Sequence, residues 1–237
     1  MNQLYLFLSQ LLAPLLHTLP SAGEGNLLAL VIRGGWVMLP LLLLSVITTA
    51  LIFLYLFTLR ARSVVSRKYM VMASALLTKG DLSSFLKTSL HHRESVALIM
   101  NRTIDFMFHH PEATHTQVRE IAQTEGARES NILQQRILWL SDIATMAPML
   151  GLLGTVLGMI HSFNVMANDI AATRPLLLAA GVGQALVATA AGLLVGMIAM
   201  SAYAFFRGRV NSMISEMESA TTQLLALLAL VKRERGS

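Results

Sequence analysis

The sequence predicts an all-α membrane protein with three transmembrane helices, and three observations carry that prediction. Only 13% of the 237 residues are charged and 54% are hydrophobic, with a mean hydropathy of +0.61; soluble domains carry about 25% charged residues. Three stretches run far enough without a charge to cross a bilayer, whose hydrocarbon core takes about 20 helical residues. The basic residues, finally, are confined to particular segments between those stretches.

Taken in order, residues 1–35 are expected to be a periplasmic, interfacial N-terminal segment. Within it Met1–Leu19 is apolar, interrupted by Pro14, has no basic start and is followed by no clear small-residue cleavage site, so it reads as an interfacial helix rather than a cleaved signal peptide. Transmembrane helix 1 is expected at 36–59, from Trp36 to Leu59 without a charge. Residues 60–142 are expected to form a cytoplasmic helical region. "KGDLSSFLK" reads there as a junction, with Gly80 ending one helix and Asp81 capping the next. Helical apolar spacing appears at Val71, Ala75 and Leu76 and again at Val96, Ile99, Met100, Thr103 and Ile104. Pro111 separates two helices, and the stretch from Glu112 to Ser141 reads as one helix feeding the next span. Transmembrane helix 2 is expected at 143–165, followed by a periplasmic link at 166–174. Transmembrane helix 3 is expected at 175–206, whose 32 residues exceed what a bilayer needs, so it must tilt or project. Residues 207–237 read as a cytoplasmic helical tail with an apolar stripe at Met213, Ile214, Met217, Leu224, Leu228 and Val231.

Topology follows from the basic residues. Segment 60–136 holds eleven Lys and Arg and the tail five, against one (Arg33) in the first 35 residues and one (Arg174) in the link. The positive-inside rule then puts the N-terminus outside and the C-terminus in the cytoplasm. The net charge of +5 is thereby a matter of topology, and with aromatics at 6% no nucleic-acid surface is expected.

The chain has no cysteine, which excludes disulfides and thiol chemistry. His91, His92, His109, His110 and His115 lack the i, i+4 spacing of a ligand pair, and solvated histidines are the plainer reading. His161, near the outer end of the second span, reads as an interfacial or packing histidine, with a part in proton entry as the alternative. No catalytic motif occurs, so no enzyme activity, metal or cofactor is expected.

The spans themselves carry the informative pattern. In the second, Pro148, Gly151, Thr155, Gly158 and Ser162 share one helix face; in the third, Gly181, Ala185, Thr189, Gly192 and Gly196 do. Gly154/Gly158 and Gly192/Gly196 are small-xxx-small pairs, which let backbones approach closely in lipid. Two readings stay open: plain helix packing with the threonine hydroxyls turned onto their own backbone, or a surface lined for another helix with Thr155 and Thr189 as its polar atoms. No Asp, Glu, Lys or Arg stands in any span. A proton relay ordinarily needs one, so a carrier group would have to come from another chain.

"APMLGLLGTVLGMIHSF" followed by "GVGQALVATAAGLLVGMIAMSAYAFF" resembles the MotA/TolQ/ExbB proton-channel family, and "GGWVMLPLLLLSVIT" resembles its ExbB/TolQ branch. The likeness runs from about Gly34 to Arg209, and three spans rather than four favour that branch over MotA. The resemblance implies a homo-oligomeric ring, a pentamer in the ExbB-like branch, in the bacterial inner membrane. It implies a single-span ExbD/TolR-like partner dimer whose Asp carries the proton, and delivery of motion to TonB or, in the TolQ case, TolA. Family threonines facing that Asp map onto Thr155 and Thr189. Where many members read "EALIATA" this chain reads "QALVATA", so Gln184 replaces a titratable group. The expectation is a motor subunit with Thr155, Thr189, Gln184 and Ser162 along the ion path. Asp142 is a candidate for proton exit, or an interfacial anchor paired with Arg136. A TolQ-like role, a sodium-driven motor and a non-conducting scaffold are the alternatives.

Overall fold

The structure, a computed structural model, describes residues 36–59, 64–92, 94–168 and 174–235, with the side chains of residues 82, 168, 174–177 and 231–235 outside the description. The expected N-terminal interfacial helix lies outside the described residues, as does most of the 166–174 link. Among the described residues all regular structure is helical: α1 (Met38–Thr58), α2 (Arg67–Thr78), α3 (Leu82–Leu90), α4 (Ser95–His109), α5 (His115–Asn168) and α6 (Arg174–Arg235). Three of these, α1, α5 and α6, are long and apolar enough to cross a membrane. Contacts divide the chain into two units, 1–52 with 140–205 and 53–139 with 206–237.

In the first unit α1 lies on α5 and α6. Met38 and Leu41 pack with Ala147 and Ala188, while Ile143, Ala144 and Ala199 form a second cluster joined by Leu44 and Leu51. The outward faces are apolar as well. Leu39, Leu42, Leu43 and Val46 of α1, Met149, Leu152 and Phe163 of α5, and Leu186 and Leu193 of α6 are exposed. A soluble protein rarely leaves so much contiguous apolar surface in water; hydrocarbon removes the cost.

The second unit is built around large apolar side chains. On α5 the buried row is Val118, Ala122, Leu133 and Ile137; on α6 it is Phe206, Val210, Met213, Met217, Leu224 and Leu228. The three- and four-residue steps are those of packed parallel or antiparallel helices. The predicted stripe of α4 is thus buried, and of the tail stripe Met213, Met217, Leu224 and Leu228 are buried and Ile214 half-buried, while the Val231 side chain lies outside the description. In α2 the stripe is displaced: Tyr69, Ala73 and Leu77 are buried, whereas Val71 and Ala75 are exposed. The reason is Tyr69, whose ring meets Phe85 edge-on at 6.4 Å and whose hydroxyl lies 3.1 Å from Ser89 Oγ. That large side chain takes the core side and rotates the helix accordingly.

The Gly80–Asp81 junction forms as read. Gly80 has φ 71°, the left-handed conformation that favours glycine, and Asp81 caps α3 by accepting from the Ser84 amide at 3.0 Å. Helix α5 begins three residues later than Glu112, because Thr114 and Gln117 form a reciprocal capping pair. The Thr114 amide donates to Gln117 Oε1 at 2.8 Å and the Gln117 amide to Thr114 Oγ1 at 3.4 Å. Helix α4 is tied to α5 by Arg102, whose guanidinium donates to Glu125 Oε2 at 2.7 Å.

Candidate functional site

The two small-residue faces meet each other within one chain. Every glycine assigned to packing sits where a side chain would collide. A Cβ on Gly151 would lie 3.0 Å from the Ala188 carbonyl oxygen and 3.1 Å from Thr189 Cα; on Gly154, 2.8 Å from Ala188 Cβ; on Gly158, 2.7 Å from Ala185 Cβ. From the α6 side, a Cβ on Gly192 would lie 2.6 Å from the Ala147 carbonyl oxygen, and one on Gly196 would lie 2.7 Å from Pro148 Cγ. A Cβ on Gly181 would fall on the Ser162 hydroxyl. Moving along α5 from Pro148 to Ser162 thus means moving back along α6 from Gly196 to Gly181, one antiparallel register held throughout. Gly183 has nothing within 4 Å and stands off this line.

The hydroxyls along this seam all have acceptors. Thr155 Oγ1 donates to the Leu152 carbonyl of its own helix at 2.7 Å, and Ser162 Oγ to Gly158 at 2.8 Å. Thr189 differs: its Oγ1 crosses from α6 to the Gly151 carbonyl of α5 at 2.8 Å. One of the two threonines therefore turns back on its own backbone and the other links the helices. Thr155 and Ser162 are each 8% exposed, whereas Thr189 is half-buried. Pro148 lacks an amide hydrogen, so the Ala144 carbonyl has no helical donor four residues on; that carbonyl lies 3.1 Å from where a Gly196 Cβ would stand.

The remaining predicted residues are not drawn into the seam. Gln184 and His161 are exposed. Asp142 is exposed too and, among the described residues, pairs with no cation; the Arg136 partnership does not form, and the Asp142 carbonyl accepts from Thr145 Oγ1 at 2.8 Å. Two polar residues escaped sequence reasoning. Thr48 of α1 is 2% exposed and donates to Leu44 at 2.7 Å, and no periodic signal marked it within an apolar run. Thr221, in the second unit, holds the one buried side-chain oxygen among the described residues without a partner.

Outside the spans the histidines make local contacts. His91 Nδ1 meets the Lys87 carbonyl at 2.9 Å, His109 Nδ1 that of Asp105 at 2.9 Å, and His92 Nδ1 the Glu94 carboxylate at 3.0 Å. Among the described residues no three His, Asp or Glu come together as metal ligands would.

Known proteins share this arrangement of sequence. The Tol-Pal system protein TolQ of Haemophilus influenzae is 38% identical over 85 residues, 36% of this chain and 37% of that protein. A Synechocystis protein described as a putative biopolymer transport protein, ExbB-like 1, is 30% identical over 177 residues, covering 71% of this chain and 66% of its own. The biopolymer transport protein exbB1 of Vibrio cholerae is 45% identical over 62 residues, 26% of this chain and 27% of the relative. In none of the three is two thirds of the relative's length covered. The profile of the MotA/TolQ/ExbB proton channel family matches residues 80–219, from the α2–α3 junction through both packed spans, and the chain belongs to that family.

Proposed function

We propose that this chain is the ring-forming subunit of a proton-motive-force-driven motor in the bacterial inner membrane, ExbB-like, with its N-terminus periplasmic and its C-terminus cytoplasmic. The observation that carries the reading is the conjunction of family membership with a charge-free, hydroxyl-bearing seam between the second and third spans. Such a seam has polar atoms to offer and no group that titrates as a carboxylate does. The proton carrier therefore belongs to a partner, an ExbD/TolR-like single-span chain whose Asp enters a homo-oligomeric ring, a pentamer on the family pattern. Thr155, Thr189 and Ser162 face the ion path, and Gln184 hydrogen-bonds water or a neighbouring subunit where other members carry Glu. Energy is passed to a TonB-like protein for outer-membrane transport. Relatives named for TolQ as well as for ExbB give a TolQ-like role, with TolA as recipient, equal standing in sequence. Protons are the expected ion, and sodium is the alternative.

A second reading has an observation of its own. The glycine faces are satisfied within one chain, as a non-conducting scaffold would also require. The native mass of the detergent-purified complex, co-expressed with the Asp-bearing single-span chain, separates the two: a ring retaining two partner chains is expected, and a ring that excludes every such chain would leave the scaffold. In the retained complex, Thr155→Val and Thr189→Val should assemble and fail to pass protons; unchanged flux in both would refute the assignment of the threonines.

A further inference from the structure

Where α5 and α6 run together in the second unit, small residues make a cleft instead of a close contact. Ala122 and Gly126 of α5 line it, and a Cβ on Gly126 would meet nothing within 4 Å. On Gly192, by contrast, a Cβ would lie 2.6 Å from a backbone oxygen. The cleft measures about 530 Å³, inside the roughly 300–1,000 Å³ of small-molecule sites. Its floor is apolar, with Ile99, Ala122 and Met217 each 1% exposed or less.

The polar side chains along the cleft are unengaged. Thr221 lines it at 7% exposure, and its Oγ1 is buried without a partner, which is the exception in native structures. His115, Arg119 and Gln123, one turn apart from each other, line the α5 wall, and Glu218 and Thr222 the α6 wall. All five are exposed. Among the described residues none of the five side chains has a hydrogen-bond or ion-pair partner.

The two walls run antiparallel. His115 and Arg119 also line a small pocket with Leu225 and Leu228, which puts Arg119 level with Leu225. Glu218 comes seven residues earlier on α6 and so stands about 10 Å further along. The cleft is therefore graded. Guanidinium and imidazole donors mark one end, two hydroxyls and an amide the middle, and a carboxylate the other end.

We infer that this cleft is a small-molecule site and that its ligand is a nucleoside monophosphate. Arg119, with His115 beside it, donates to the phosphate. The sugar hydroxyls reach Gln123 and Thr222 and supply the partner that Thr221 Oγ1 lacks. The base lies on the apolar floor, and Glu218, an acceptor only, receives its amino group. The span from Arg119 to Glu218 is about the reach from phosphate to the far edge of a base. The inference does not depend on the motor reading.

The test uses the full chain purified in detergent and titrated with AMP, GMP and CMP, with adenosine and inorganic phosphate as controls. Binding is read by calorimetry and by the melting temperature. At least one of the three nucleotides should bind saturably, and adenosine and phosphate at least about tenfold more weakly. Arg119→Gln should weaken nucleotide binding about tenfold, as loss of one charge-assisted bond does. Thr221→Val should weaken it roughly fivefold while raising the melting temperature without nucleotide, a pairing that a purely structural role would not produce. Gly126→Leu puts a side chain where a Cβ meets nothing, and should abolish binding without lowering the melting temperature. No saturable binding by any of the nucleotides would overturn the inference, as would binding that survives Gly126→Leu. A lower native mass in Gly126→Leu would overturn it too, assigning the cleft to a second copy of the chain. Arg119→Gln alters an exposed residue and keeps the test decisive should Gly126→Leu fail to fold. None of these outcomes bears on the motor reading.

Discussion

Gly192→Ala isolates the close approach on which the membrane seam depends. The new Cβ would stand 2.6 Å from the Ala147 carbonyl oxygen and 2.9 Å from Gly151 Cα, and both neighbours are backbone. Neither can swing away as a side chain would, so the helices must part locally. Ordinary contact begins at 3.4 Å, and the separation needed is about 0.8 Å. Such a displacement stretches the Thr189–Gly151 bond from 2.8 Å to roughly 3.6 Å, beyond hydrogen-bonding range. Overpacking costs about 1–3 kcal/mol and an intramembrane hydrogen bond contributes about 0.6 kcal/mol. The better helix propensity of alanine returns up to about 1 kcal/mol. The net expectation is a loss of about 1–3 kcal/mol. Gly183→Ala, nine residues earlier on the same helix, meets nothing within 4 Å and should be neutral or slightly stabilising. The assay is SDS-induced unfolding in mixed micelles, followed by far-ultraviolet circular dichroism. Equal stability of the two variants, in either direction, would refute the claim that contact distance at Gly192 sets the packing.

Three further outcomes concern the second unit. Thr221→Val should stabilise by about 1 kcal/mol in urea unfolding, because it replaces a buried hydroxyl without a partner by a methyl group of similar size; destabilisation would mean the hydroxyl is bonded in solution. The hydrogen bonds from Ser84 and Ser83 hold the Asp81 carboxyl down at about 2, so its capping contribution is present above the ordinary carboxylate value and is lost as pH falls toward 2. Asp81→Ala should lower the melting temperature at pH 7 and remove that acid limb, whereas Asp81→Asn should keep the cap and lose the pH dependence. Burial pushes the Tyr69 hydroxyl up to about 12, while its bond to Ser89 pulls the other way. Its contribution to stability is complete below the ordinary value of 10 and fades as pH rises through 12. Absorbance at 295 nm should show one tyrosine that ionises only with unfolding, and Tyr69→Phe should remove that step.

What could be read from the sequence was whatever depends on neighbours in the chain. Gly80 and Asp81 announce their turn and cap because both act within three or four residues. The α4 stripe was legible because Val96, Ile99, Met100, Thr103 and Ile104, all buried, recur at the steps that place them on one side of a single helix. The α2 stripe was misplaced because its phase is chosen by Tyr69 fitting against Phe85 and Ser89, contacts set 16 and 20 residues away. Thr114 and Gln117 carried a capping signal four letters long, overlooked because Pro111 drew the boundary instead. At the seam, the faces were legible from helical periodicity, but the destination of the Thr189 hydrogen was not. Its acceptor lies 38 residues away, and only the antiparallel register decides that Gly151 faces it.

The buried rows of α5 and α6 also explain why the two units need different residues for the same task. In the second unit the rows carry large side chains, Leu133 and Ile137 on one helix and Met213, Met217 and Leu224 on the other, the residue types whose removal from water drives helices together. In the first unit the rows become Ala147, Gly151, Gly158 and Gly181, Ala185, Ala188, Gly192. In lipid, large apolar residues gain nothing by leaving hydrocarbon, so association relies on close van der Waals contact and on hydrogen bonds between backbones brought near. The change falls beside exposed Trp139 on α5 and exposed Arg207 and Arg209 on α6, residue types that settle at a membrane–water boundary. Close packing has a consequence for function. Backbones this near leave no room for a large polar side chain, so a hydroxyl is what the seam can hold, and a hydroxyl in a low-dielectric site bonds the nearest carbonyl. The same glycines that let α5 and α6 meet thereby direct the Thr189 hydrogen to the Gly151 carbonyl of the other helix.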